Sequence, residues 1–173
     1  MAHQPLHPVI DFSDKANGYR ELERTLAALL AGERDLIANL ANAAALLYHS
    51  LPELNWAGFY LLRREGEREE LVLGPFQGKT ACVRIAIGRG VCGTAAATRR
   101  TQRVHDVHAF PGHIACDSAS NAEIVVPMIF EKGARCDELL GVLDLDSPKI
   151  GRFDATDQAG LEAFVRTLLD SLE

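Results

Sequence analysis

Apolar residues change their spacing several times along the chain, and each change marks a new kind of element. Leu22, Leu26, Leu29 and Leu30 recur at helical spacing, and Leu36, Ile37, Leu40, Ala44 and Leu47 repeat the pattern. Gly32 separates the two predicted helices and Pro52 stops the second. The period then falls to two. Asn55 to Leu62 and Glu70 to Phe76 read as strands joined by the charged turn Arg63 to Glu69. Ala81 to Ile87 reads as a third strand, and Gly88-Arg89-Gly90 leads into a short helix of small residues, Val91 to Thr98. From Thr101 to Asn121 neither period holds, apart from a short strand near Arg103 and Val104. An irregular stretch of that length inside a domain points to function or disorder. Glu123 to Phe130 and Leu139 to Ser147 are two further strands. A final helix begins near Thr156 and carries Leu161, Phe164, Val165, Leu168 and Leu169 on one stripe, with Asp154 and Asp157 placed to stabilise its start.

Helices at both ends and hairpin-type strands between them predict an α+β fold with a central antiparallel sheet. Residues 1–18 are expected as a loose N-terminal arm and residues 19–173 as one domain.

Strand alternation assigns side chains to faces. In Gly141 to Ser147, Leu143 and Leu145 point one way, while Asp144 and Asp146 point the other, roughly 7 Å apart. Taken alone, that is a half-exposed strand with an acidic outer face. The first strand adds Trp56, Gly58 and Tyr60 on one face, and Trp56 is the only tryptophan of the chain. Such amphipathic rings suit a pocket wall as well as a core. Glu123 opens another strand. An aromatic wall, several carboxylates and a thiol together suit a small cationic or zwitterionic ligand. A carboxylate pair also offers general acid catalysis where one member's pKa is raised.

Composition narrows the setting. Hydrophobic residues make up 47% and charged residues 24%, the balance of an ordinary globular domain. A net charge of -6 and a pI near 5.5 leave no electrostatic footprint for nucleic acid. No apolar run approaches the ~20 residues needed to cross a bilayer, and Met1 to Asn17 lacks the apolar stretch of a signal peptide. A cytoplasmic protein is expected, with thiols that stay reduced unless they cycle and no two-disulfide framework.

Cys82, Cys92 and Cys116 lie among glycines and polar residues, in neither a CxxC pair nor an apolar run, which points to redox or metal chemistry. His105, His108, His113 and Cys116 follow at intervals of three, five and three. That loop reads three ways: as zinc ligands, as the setting of a thiol nucleophile, or as a solvated structural segment.

Longer motifs decide between these readings. Asn55-Trp56-Ala57-Gly58-Phe59-Tyr60, Leu73 to Lys79, Gly90-Val91-Cys92-Gly93, Phe110 to Asp117 and Gly141 to Ser147 resemble, in order and interval, free methionine-(R)-sulfoxide reductases. These are single GAF-domain enzymes, with a ligand pocket over one face of an antiparallel sheet. The resemblance implies reduction of free L-methionine (R)-sulfoxide by Cys116, Cys82 and Cys92, with thioredoxin as external reductant and no bound metal or cofactor. It implies Glu123, Asp144 and Asp146 as substrate carboxylates, Trp56 and Tyr60 as the pocket wall, and a homodimer. Cys116 would attack the sulfoxide, Cys82 by preference would resolve the sulfenic acid, and Cys92, in a Gly-rich turn that moves easily, would act as a relay or alternative partner. Cys136 lies in a hairpin, Glu131 to Glu138, longer than the family's and is expected as a bystander. A signalling GAF module is the rival within the fold, but 173 residues leave no room for the output domain it would normally carry.

Overall fold

The computed structural model describes residues 9–113 and 118–173. Helix α1 (Lys15–Leu30) is capped by the Asp14 carboxylate, which accepts from the Asn17 amide, and α2 (Leu36–Ser50) is capped in the same way by Asp35. Because Asp14 supplies the cap, α1 starts ahead of Tyr19, inside the stretch expected as an arm. Ile10, further upstream, is itself buried.

The strands are β1 (Trp56–Glu65), β2 (Arg68–Gly78), β3 (Arg84–Ala86), β4 (Gln102–Val104), β5 (Ala122–Ile129) and β6 (Leu139–Ser147). They form one six-stranded sheet in the order β3-β2-β1-β6-β5-β4, with every neighbouring pair antiparallel. The β1–β2 hairpin is tighter than the charge pattern predicts. Arg63 to Glu65 pair with Arg68 to Glu70, leaving only Gly66 and Glu67 to turn, with Gly66 at φ 62°. The strand expected over Ala81 to Ile87 shrinks to Arg84–Ala86, and a 3-10 turn, Val107–Ala109, escapes periodicity because it is too short to show one.

Two helices complete the fold among the described residues: α3 (Gly90–Thr98) and α4 (Ala155–Asp170). Asp154 and Asp157 form a capping box at the start of α4. The central strands β1, β6 and β5 contribute to two apolar clusters by alternation. Ala57, Phe59, Leu61, Ile124, Val126, Leu143 and Leu145 pack against α1, α2 and α4. Trp56, Tyr60, Val125 and Val142 pack on the other face, beneath α3 and the segment around Val107.

Candidate active site

Register aligns the pocket. Trp56 of β1 pairs with Asp146 of β6, which pairs with Glu123 of β5, so three predicted site residues form one row across three strands. The next row on that face is Gly58, Asp144 and Val125. Gly58 is required by a close approach. A Cβ there would lie 2.7 Å from the Trp56 ring and 2.3 Å from Phe76 Cβ. Its absence lets the indole lie along the strand, stacked on Tyr60 (centroids 5.9 Å apart) and on Phe76 (5.3 Å).

A cavity opens over these rows, lined by Trp56, Tyr60, Cys92, Glu123, Asp144 and Asp146. The acidic strand face is therefore not the solvated surface that alternation alone suggests. Glu123 and Asp144 are buried and Asp146 is half-buried, because α3 covers this side of the sheet.

Burial sets the electrostatics. It pushes the Glu123 carboxyl well above its ordinary range, with the charge of Asp146 acting in the same direction. Burial and then the charge of Glu123 do likewise to Asp144. Asp144 Oδ1 is buried and finds no donor among the described residues. His113 Nε2 stands 3.6 Å from Glu123, but burial lowers its pKa, so the imidazole tends to neutrality and brings the carboxylates no firm counter-charge. The result is a pocket that is acidic, and desolvated around Glu123 and Asp144.

The thiols sit differently from the sequence expectation. Cys92 lies in the first turn of α3 and is buried in the apolar cluster, not in a mobile turn among polar residues. Burial, and then the Asp144 and Glu123 charges, raise its pKa well above the ordinary thiol value. Cys82 is half-buried and disulfide-bonded, while Cys92 and Cys136 carry free thiols, so a two-disulfide framework is absent. Cys136 is exposed, and its thiol donates to the Glu131 carbonyl at 3.3 Å. Cys116 lies outside the described residues.

The histidines of the loop do not converge. His108 Nε2 meets Asn121 Oδ1 at 3.0 Å, the His105 ring lies against Gly151, and His113 faces the pocket. Among the described residues, the group that can hold a metal is instead Cys92, Glu123 and Asp144, whose ligand atoms lie within 4.8 Å of one another.

Two features of the cavity escaped the sequence reading. Arg89 lines it, and the N-terminus of α3 opens into it without a side-chain cap from Arg89. An uncapped helix start offers backbone N–H groups and a positive dipole end to an anion. The signal was present as Gly88-Arg89-Gly90, a helix entry that lacks Ser, Thr, Asp or Asn.

Comparison with known proteins places this architecture. The GAF domain family model matches residues 38–173. Free methionine-R-sulfoxide reductase of Escherichia coli (strain K12) is 54% identical over 155 residues, which are 90% of this chain and 88% of that protein. The chain belongs to the free methionine-R-sulfoxide reductase family of GAF-domain proteins. Free methionine-R-sulfoxide reductase of Saccharomyces cerevisiae is 42% identical over 166 residues, covering 92% of this chain and 89% of that protein. Among solved structures, that of free methionine-R-sulfoxide reductase from Neisseria meningitidis in complex with its substrate is 44% identical. It superposes with a TM-score of 0.85, covering 96% of this chain and 95% of that one. The family's GAF fold, α+β with a six-stranded antiparallel sheet, is the fold seen here.

Proposed function

We propose that this chain reduces free L-methionine (R)-sulfoxide to L-methionine and so repairs oxidised free methionine. The observation that carries the reading is the row Trp56–Asp146–Glu123, with the buried Asp144 beside it, one of whose oxygens finds no donor among the described residues. A free amino acid supplies what is missing. Its ammonium pairs with the carboxylates, its S-methyl group lies on the Trp56 ring beside Tyr60, and its carboxylate meets the uncapped start of α3 near Arg89.

In the first step the Cys116 thiolate attacks the sulfoxide sulfur. Oxygen passes to the cysteine, methionine leaves, and Cys116 becomes a sulfenic acid. Glu123 or Asp144 is the proton source, since each holds its proton above the ordinary carboxyl range. The Cys82 thiol then condenses with the sulfenic acid, forming a disulfide and releasing one water. Thioredoxin reduces that disulfide by thiol exchange, its own dithiol being oxidised. The disulfide bond at Cys82 supports its role as the resolving partner. Cys92 is buried as a protonated thiol and is a secondary relay. No metal or bound cofactor takes part. A cytoplasmic setting and a homodimer belong to the same reading, and light scattering tests the second.

The test compares free methionine (R)-sulfoxide with its N-acetylated form, which lacks the ammonium. Rapid reduction of the first alone is expected, and equal rates would remove the carboxylates from substrate recognition. In a single turnover, Cys116→Ser should release no methionine, whereas Cys82→Ser should release one equivalent and then stall. A full burst from Cys116→Ser would reassign the nucleophile.

A further inference from the structure

Lys79 to Val83 join β2 to β3 without forming helix or strand. Three hydrogen bonds pin this connection. Trp56 Nε1 donates to the Lys79 carbonyl at 3.1 Å, the Tyr60 hydroxyl donates to the Cys82 carbonyl at 3.0 Å, and the Leu73 amide donates to the Val83 carbonyl at 2.9 Å. The first two donors are the polar tips of the very rings that wall the cavity, and Thr80 and Ala81 of the same segment line it as well. Gly78, where the segment begins, has φ +121°, and a Cβ there would lie 2.8 Å from Trp56 Cδ1. The chain thus leaves β2 in a conformation open to glycine and runs tightly against the indole.

An apolar wall needs only ring faces, and phenylalanine would supply them. The two polar tips have another use. We infer that Tyr60, seconded by Trp56, is a positioning residue for the thiol chemistry, fixing the backbone of Cys82 so that its sulfur reaches the oxidised cysteine. The inference rests on the thiol cycle proposed above. It also joins pocket to redox centre: Trp56 and Tyr60 stack on each other, so a shift of either ring on the substrate side is transmitted to the segment that carries Cys82. The condensation keeps its balance: sulfenic acid plus Cys82 thiol gives disulfide plus water.

Tyr60→Phe keeps the ring and removes the donor. The reduced protein is oxidised with one equivalent of hydrogen peroxide, which forms the sulfenic acid without any methionine sulfoxide. Sulfenic acid is trapped with dimedone, and disulfide formation is followed by intact mass. The expected result is disulfide formation slowed about tenfold or more, with dimedone adduct accumulating, while single-turnover methionine release falls by a smaller factor. Disulfide formation at the wild-type rate overturns the inference. So does an equal slowing of sulfenic acid and disulfide formation together with a lowered Tm, which marks a general loss of structure. If wild type releases no methionine yet its peroxide-driven disulfide still depends on Tyr60, the positioning role stands and the substrate reading falls.

Discussion

Asp157 and Asp144 are both buried carboxylates, on opposite sides of one sheet, and their surroundings could hardly differ more. Asp157 Oδ1 accepts from Tyr19 (2.9 Å) and Arg152 (3.1 Å), and its Oδ2 accepts from Lys15 (2.7 Å) and the Asp154 amide (2.8 Å). These partners come from α1 and from the turn before α4, so the aspartate, itself in α4, ties the first helix to the last. Asp144 has acidic Glu123 and the Cys92 thiol within hydrogen-bonding reach, and one oxygen with no donor among the described residues. A buried charge with complete partners belongs to the fold, whereas one left incomplete marks where a ligand completes the structure.

The largest effects should come from neutralising each in turn. Asp144→Asn is expected to lower kcat/KM for methionine sulfoxide about 100-fold or more, since the ammonium loses a desolvated partner. Its Tm should hold or rise, because a costly buried acid is gone. Asp157→Asn is expected to cost about 3–5 kcal/mol of stability by taking the counter-charge from buried Arg152, while Lys15 keeps Asp154, with near-normal turnover per folded molecule. Urea titration and steady-state kinetics on the two proteins read both quantities. If Asp144→Asn loses as much stability as Asp157→Asn, the contrast between the sites collapses.

How far the sequence foretold the two sites follows from the same contrast. Strand parity alone put Leu143 and Leu145 in one core and Asp144 and Asp146 on the other face, because alternation needs no knowledge of neighbours. It did not show that α3 closes over that face. Nothing in the hydrophobic pattern of Gly90 to Thr98 says which side of the sheet it takes, so Cys92 was expected in a mobile turn and proved buried. Asp154 and Asp157 were legible as a helix start, but Tyr19, Lys15 and Arg152 were not legible as their partners. Those contacts join residues 138, 142 and 5 positions away, and no local period encodes the first two. The capless entry to α3 is visible in Gly88-Arg89-Gly90, but no local pattern shows that a cavity lies in front of it.

Acid titration offers a smaller, sharper contrast, because the two sites respond with opposite sign. Hydrogen bonding to Lys15 lowers Asp154 from 3.8 to about 2, so its contribution is present above 3.8 and is lost as pH falls toward about 2. Asp144 is raised from 3.8, mainly by burial. The folded state then holds a proton that the unfolded chain releases, so stability falls as pH climbs from 3.8 toward the raised value. Wild type should therefore lose Tm relative to Asp144→Asn between about pH 4 and neutrality, and less so when methionine is added. Melting curves for both proteins across that range are the check. Parallel curves would mean that Asp144 titrates as an exposed carboxyl does.

The smallest expected effect concerns the two free thiols, which carry the comparison down to single atoms. Cys136 is open to solvent, whereas Cys92 is buried and its thiolate is disfavoured first by burial and then by the charge of Asp144. With the Cys82 disulfide intact, iodoacetamide should label Cys136 first. Cys92 should lag by at least about tenfold, because burial both hides the sulfur and disfavours its thiolate. Peptide mapping after timed quenching separates the two sites. In Asp144→Asn the lag should shrink, since a neutral amide no longer opposes the thiolate, while Cys136 keeps its rate as the internal standard. A lag that persists unchanged would assign the protection of Cys92 to its burial between α3 and the sheet alone. Asp144 would then act on the ligand and not on the thiol.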